Sequence, residues 1–519
     1  MENKRVRLRF APSPTGGLHM GGVRTALFSY LFAKKYHGDF ILRIEDTDQT
    51  RFVKGAEEYI IESLKWCGIE PNEGVGFGDG PHAPYRQSER KNMGIYKKYA
   101  DQLISTGHAY YAFDTPEELD AMRKRLELAK VAAPQYNSVT RQNMRNSIAL
   151  SEDEVKKLMD SGCPYVIRLK VPRNEEIRFH DIIRGWVVVN STQVDDKVLV
   201  KSDGMPTYHL AHVVDDIEME ITHAVRGEEW LPSAPAHILI YRYLGCEYKM
   251  PLLAHLPLIL KTDGNGKLSK RDKSGIPMFP LNWSDPASGE NYVGYRESGF
   301  FKDAFINMLA LLGWNPGTTQ EIFSQQELIE AFSFERVHKS GAKFDPEKTK
   351  WFNQQYLRKK PNKELAELFS PILNEKLAIA NLDIQNFSTD FIIGVCNLVK
   401  EKSHFIDDFW NTGHYFFIAP TSYDKEVIKK RWSGASANFI NAVIILFEDI
   451  NDFTAAAAEA AFKAACASQN IAAGEVMQLF RVCLSGIGGG PVLFEMVELI
   501  GKKEVINRLA KAATSFAGN

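Results

Sequence analysis

The sequence predicts an α/β protein built on parallel βαβ units, interrupted by an inserted α+β segment and followed by an all-helical C-terminal region. Three observations predict this. Residues 6–45 read as strand, Pro/Gly loop, helix and strand, about the length of one βαβ unit. Strand-like and helix-like segments alternate again from Pro206, after a middle stretch with helices and short strands of its own. From Arg296 onward apolar residues recur at i, i+3 and i+4, and strand-like runs are rare.

The elements follow in order. Val6, Leu8 and Phe10 alternate with charged residues as a short strand. Residues 10–22, FAPSPTGGLHMGG, form a loop that leads into a helix over 23–36, with Lys34 and Lys35 in its last turn and Gly38 as the stop. A Gly-rich entry to a helix leaves backbone N–H groups free to face an anion, and His19 stands at its mouth. Such entries also occur where nothing binds, and the spacing is neither of the common nucleotide-loop fingerprints. DFILRIEDTD resumes as a second strand, and residues 56–67 form an amphipathic helix. The Gly/Pro-rich residues 73–90 mark a boundary near 86. Helices are expected over 91–106 and 117–130, the latter opened by Thr115 as N-cap with Glu118 three residues on. Short strands follow in PYVIRLKVP, EIRFHDIIRG, WVVVN and KVLVKSDG, so 87–205 reads as the insert. TYHLAHVVDD is strand-like, ITHAVRG is a strand, PAHILIYRYLG a helix and HLPLIL a strand. The segments 206–335, 336–425 and 426–519 complete the expected division.

Bulk properties narrow the class. The chain has 519 residues, 44 % hydrophobic and 25 % charged, as in ordinary globular proteins. A net charge of −2 gives no global case for nucleic acid, so a local basic region must carry one. No apolar run is long enough to span a membrane, and MENKRVRLRF lacks the apolar core of a signal peptide. Six scattered cysteines without a CxxC pair argue for isolated reduced thiols in a cytoplasmic protein rather than disulfides or a Cys-rich zinc site.

A second chemical signal lies in KLSKR, residues 267–271, with three cations in five residues and glycines on both sides. A solvated surface loop has this composition, and so does a loop that brings ammonium groups onto a polyphosphate as charge develops. Taken in order, PSPTGGLHMGG and KLSKR resemble the two signatures of class I aminoacyl-tRNA synthetases. The fuller set RFAPSPTGGLHMGGVRTALF, LRIEDTD, RFVKGAEE, PTYHLAHVVDD, ITHAVRGEEWL, KLSKRD, INMLALLGW and KWFNQQYLR resembles the bacterial glutamyl members of that class, over nearly the whole chain.

The resemblance implies a Rossmann-type doubly wound parallel-sheet catalytic domain, split into 1–86 and 206–335. It implies that 87–205 holds the acceptor stem and that the helical 336–425 and 426–519 bind the anticodon. The implied reaction joins L-glutamate to the 3′ end of tRNA-Glu through a glutamyl-adenylate, consuming ATP with Mg²⁺ and releasing AMP and pyrophosphate, in a monomer. No protein nucleophile is needed, and the site has to align reactants and stabilise phosphate charge. His19, Gly21, Gly22, Lys267, Ser269 and Lys270 would meet the ATP, with Lys267 and Lys270 clamping the leaving pyrophosphate and Lys270 the most important. Arg9 and Arg226 end predicted strands, where a parallel sheet opens its ligand crevice, and arginine suits a carboxylate. Glu45, also at a strand end, suits the α-ammonium. By resemblance Arg9, Ala11, Ser13, Glu45, Tyr208 and Arg226 form the amino-acid pocket. His212 stands where many relatives have Asn, and either lines this pocket or faces away.

Asp48 and Arg51 resemble positions near the tRNA 3′ end. Residues 336–363 carry nine Lys/Arg against Asp345 and Glu347, with Trp351, Phe352 and Tyr356 among them. Arg336, Lys339, Lys343, Lys350 and Arg358 are the cations expected to face RNA, with most of the aromatics in the core. Some relatives have a zinc knuckle in the insert. Here HAYYAFDTPEEL has Ala112 and Asp114 at the cysteine positions, and His108 with Asp114 does not make a tetrahedral site, so no structural zinc is expected. Mg²⁺ would be held by phosphates and water. A glutamyl transferase acting on a tRNA base would lack the helical C-terminal region. A small-molecule nucleotidyltransferase would leave that region and the basic segment unexplained, and a non-catalytic RNA-binding paralogue would not need His19, Lys267, Lys270 and Arg226.

Overall fold

The computed structural model describes residues 5–269 and 275–517. The chain divides into two compact units, one of residues 1–298 and 302–346, the other of 299–301 and 347–519.

The first unit opens as β1 (Arg7–Phe10), α1 (Met20–Lys35), β2 (Asp39–Leu42), α2 (Ala56–Cys67) and β3 (Glu73–Gly74). All four residues of β1 are buried, including the two arginines that the alternation places outward. A strand inside a parallel sheet is covered on both faces, so its charges must find partners. Arg7 finds Asp39 and Glu73, each at 2.7 Å, and Arg9 finds Asp216. The expected helix over 91–106 is broken by Gly94, at φ 72°, into α3 (Gln87–Asn92) and α4 (Ile95–Ser105). β4 (Ala109–Ala112), α5 (Pro116–Leu128), α6 (Glu152–Asp160), β5 (Val166–Leu169), β6 (Glu176–Asp181), β7 (Gly185–Asn190) and β8 (Val198–Val200) follow. Thr115 and Glu118 form the capping box that starts α5.

TYHLAHVVDD is a helix, α7 (Tyr208–Glu218), and not a strand. An apolar run of this length fits either form, and here Leu210, Ala211, Val213, Val214 and Ile217 are buried round the helix in one core with α4 and the following α8 (Ala234–Tyr243). Between α7 and α8 runs β9 (His223–Gly227), and β10 (Leu252–Leu256) comes after.

Seven strands form one sheet in the order β3-β2-β1-β9-β10-β6-β7. All neighbours are parallel except the β6–β7 hairpin. β6 and β7 come from the 87–205 segment, so part of that segment extends the main sheet, while β4, β5 and β8 form a separate antiparallel sheet. From β1 the chain winds to β2 and β3 on one side, and later to β9 and β10 on the other. The order reverses between β1 and β9, and a ligand crevice opens at the carboxyl ends of such a pair.

The second unit contains helices and no strand among its described residues. Its core includes Leu365, Phe369, Val395, Phe409, Phe439, Phe462, Leu479 and Phe480. No helix among the described residues is long and apolar enough to cross a membrane.

Candidate active site

A cavity of about 650 Å³ lies at the carboxyl ends of β1 and β9. His19, Gly21, Gly22, Lys267 and Ser269 line it, and so do Arg9, Ala11, Ser13, Glu45, Tyr208, His212 and Arg226. The two groups of residues assigned to nucleotide and to amino acid therefore share one cleft. Lys270 lies outside the described residues.

The mouth of α1 differs from the expectation of free backbone donors. Met20 N–H bonds the carbonyl of Met278, and Gly22 and Val23 N–H both bond the carbonyl of His19. Gly21 N–H bonds His19 Nδ1 at 3.1 Å, so His19 is the N-cap. The four N–H groups of the first turn are thus satisfied within the protein. Because Nδ1 accepts, the proton of the neutral ring is on Nε2, which makes the imidazole a donor at its other end. A phosphate here would meet the positive end of the helix dipole rather than bare amides, and Nε2 is buried in the structure. The two glycines differ. A Cβ on Gly22 would lie 2.6 Å from Leu18 Cδ1, so Gly22 serves packing, whereas one on Gly21 would meet only His19 Nδ1 at 3.4 Å and Ile259 Cδ1 at 3.9 Å. Lys267 is exposed and pairs with Glu229 at 3.0 Å.

Beneath Glu45 and His212 lies a buried charge network that no motif in the sequence joins. Arg9 holds Asp216 through Nε at 2.9 Å and Nη2 at 3.1 Å. Arg43, fully buried, bonds Asp216 and Glu45, both at 2.8 Å. Arg90, Gln87 and Tyr96 surround Asp215. Three guanidiniums balance three carboxylates. Burial disfavours ionisation of Glu45, yet His212 and Arg43 hold its pKa down to about 2. Burial likewise opposes ionised Asp216, but the Arg9 and Arg43 guanidiniums keep it well below the usual carboxylate range. His212 faces the cleft. Its Nε2 is 3.0 Å from Arg9 Nη2, a donor, and its Nδ1 is 3.0 Å from Glu45. This is a neutral ring with its proton on Nδ1, and burial keeps its pKa below the ordinary imidazole value.

Arg226 is different from Arg9. It is buried, and among the described residues it has no carboxylate partner. Its Nε donates to His255 Nε2 at 3.0 Å, and Nη1 to the Tyr208 hydroxyl at 2.9 Å, with His237 and His212 farther off at 3.3 and 3.4 Å. Nη2 has no hydrogen-bond partner among the described residues. The two arginines thus divide: Arg9 is paired directly with Asp216, while Arg226 has no carboxylate in direct contact and lines the cleft with Nη2 unpartnered among the described residues.

Arg51 also lines the cleft and is exposed, paired with Asp48 at 2.6 Å. Arg336, Lys339 and Lys343 are exposed and belong to the first unit. Lys350, paired with Glu347, and Arg358, paired with Glu401, belong to the second. Of the neighbouring aromatics Phe352 is buried, and Trp351 and Tyr356 are half-buried. In the insert, His108 stacks on Tyr243, and Asp114 accepts from Tyr136 at 2.9 Å and Arg145 N–H at 2.6 Å.

Residues 5–351 match the family described as tRNA synthetases class I (E and Q), catalytic domain, and residues 364–513 match an anticodon binding domain. The doubly wound sheet and its switch-point cleft are those of a class I aminoacyl-tRNA synthetase. A glutamate–tRNA ligase of Cytophaga hutchinsonii is 54 % identical over 99 % of this chain and 98 % of its own length, and that of Flavobacterium psychrophilum 54 % over 99 % and 100 %. A crystal structure of a glutamate tRNA ligase from Elizabethkingia meningosepticum, in complex with its amino acid, aligns with TM-score 0.91 and 48 % identity, covering 99 % of this chain and all of that one. The chain belongs to the glutamate–tRNA ligase family.

Proposed function

We propose that this protein attaches L-glutamate to tRNA-Glu at the expense of ATP, with both small substrates in the cleft between β1 and β9. The observation that carries this reading is Arg226, a buried cation at the cleft without a carboxylate of its own. A substrate side-chain carboxylate would be its direct partner, with Asp181 reaching it only through His255. Glu45, ionised at any physiological pH, faces the same space and suits the α-ammonium. In the first step an oxygen of the α-carboxylate attacks the α-phosphorus of ATP, and pyrophosphate leaves. His19 Nε2–H, Lys267 and Lys270 are the donors proposed for the phosphate oxygens. In the second step a ribose hydroxyl at the tRNA 3′ end attacks the acyl carbon, and AMP leaves. Arg51, which lines the cleft, would meet a phosphate of that incoming strand.

Mg²⁺ would enter with ATP. No group of three or more His, Cys, Asp or Glu suited to a metal occurs among the described residues, so phosphates and water would supply most of its ligands. The test is ATP-dependent transfer of labelled glutamate to purified tRNA-Glu, with tRNA-Gln run in parallel to define the range of tRNAs accepted. Absence of transfer to tRNA-Glu overturns the reading. Pyrophosphate exchange is expected to require tRNA. Lys270→Ala is expected to slow adenylate formation about 100-fold or more, as loss of one transition-state donor does, and near-normal exchange in that variant removes Lys270 from the site.

A further inference from the structure

Arg226 does not reach its position alone. It lies on β9, His255 lies beside it on β10, and Asp181 ends β6, the next strand over. His255 and Asp181 are both fully buried. Oδ1 of Asp181 accepts the backbone N–H of Ile183 at 2.9 Å and of Arg184 at 2.8 Å, so the β6–β7 turn fixes the carboxylate. Oδ2 lies 2.6 Å from His255 Nδ1 and accepts the His255 backbone N–H at 3.1 Å. On the far side of the ring, Nε2 faces Arg226 Nε at 3.0 Å. Arginine Nε always carries a proton, so His255 Nε2 has to accept, and the single ring proton has to sit on Nδ1. Asp181 is the group that makes this tautomer the stable one.

We propose that Asp181 and His255 form a positioning relay for Arg226. The carboxylate sets the tautomer of the imidazole. The imidazole then anchors the guanidinium by Nε, which leaves Nη2 directed to the ligand. The relay rests on the assignment of Arg226 to the glutamate side-chain carboxylate. It also places a residue of the 87–205 segment behind the amino-acid pocket, two strands from the residue it serves.

Asp181→Asn tests this. The asparagine oxygen stays on the backbone N–H groups of Ile183 and Arg184, and its amide nitrogen then faces His255 Nδ1 and replaces the oxygen that accepted the His255 backbone N–H. The ring proton is driven to Nε2, where it opposes the Nε–H of Arg226, donor against donor. The expected result is a rise of roughly 10- to 100-fold in KM for glutamate, the range for losing one hydrogen bond to a charged group, with KM for ATP unchanged and kcat at saturating glutamate less affected. A purely structural role would lower thermal stability without separating the two substrates. His255→Gln and His255→Leu give a second readout that does not depend on Asp181→Asn folding. Glutamine offers an oxygen to Arg226 Nε and leucine does not, so KM for glutamate is expected to stay lower in the glutamine variant. Equal KM values in that pair, or an unchanged glutamate KM in Asp181→Asn, overturn the relay. Arg226→Ala separates the two levels. If it raises glutamate KM while Asp181→Asn does not, the pocket assignment stands and the relay falls. If Arg226→Ala itself leaves glutamate KM unchanged, the pocket assignment falls and takes the relay with it.

Discussion

Replacing Arg226 by Ala is the perturbation that bears most directly on substrate recognition. Deleting one partner of a buried, hydrogen-bonded charge pair costs about 2–5 kcal/mol, most of it from the charge left unpaired. The geometry places this case at the low end. Nε is committed to His255 and Nη1 to Tyr208, so only Nη2 is open for a direct bond, and a bidentate pair would displace the tyrosine. A loss of about 2–3 kcal/mol corresponds to a rise of roughly 30- to 150-fold in KM for glutamate. The assay is tRNA-Glu charging with glutamate varied at saturating ATP and tRNA, then with ATP varied at saturating glutamate. KM for ATP is expected to change by less than about twofold, because uniform binding of one substrate is being removed. A glutamate KM close to that of the parent refutes the assignment, and so does an ATP KM that rises in step with it.

Arg43→Met strands Glu45 and Asp216 as buried carboxylates short of a partner, and urea unfolding should show a loss of about 3–5 kcal/mol; an unchanged midpoint would contradict the network. His19→Asn keeps an N-cap acceptor but removes the imidazole donor. It should melt near the parent temperature while forming adenylate about 100- to 1,000-fold more slowly, whereas His19→Ala should also lose about 0.5–2 kcal/mol of stability. Equal rates for His19→Asn and the parent would remove His19 from the chemistry. Burial holds the pKa values of His209 and His223 down to about 4, from an ordinary value of 6.5. The unfolded chain therefore takes up these protons first. Stability should be full above pH 6.5 and fall as pH drops toward 4, by at most about 1.4 kcal/mol per pH unit for each histidine. Glu45, held at about 2, adds a loss in the same direction at lower pH. A melting temperature that stays level from pH 8 to pH 5 would show that these rings are not buried neutral.

The strand-loop-helix-strand opening was legible because turn residues and two different apolar periods follow each other within one βαβ length. The strand ends at Arg9 and Arg226 were legible for the same reason, and both reach the cleft. TYHLAHVVDD was not, because a helix buried round most of its circumference has no polar stripe to reveal its period. Asp216 stayed hidden for the same reason: on a strand it would share a face with His212 but lie about 13 Å away, whereas one helical turn places it beside that ring and against Arg9. Arg43 sat inside a recognised motif, yet a single arginine before an acid reads as a surface pair until its burial is known. The histidine cap of α1 escaped notice because histidine is not among the usual N-cap residues. Asp181 and His255 could not be joined from sequence, since nothing local says that β6 leaves the insert to extend the main sheet.

The pairing of β1 with β9 has a consequence for how the molecule is made. Arg7 N–H and its partner Thr222 are 215 residues apart. At a synthesis rate of about 5–20 residues per second, β1 waits on the order of 10–40 s for its neighbour. Through that interval β1, β2 and β3 can pair among themselves, but the far edge of β1 stays open, with Arg9 lacking its acid on α7. An unpaired strand edge of this kind invites other strands. The nascent N-terminal segment is therefore exposed to misassembly over that interval, and a chain stopped before residue 222 would lack β9 and with it Arg226.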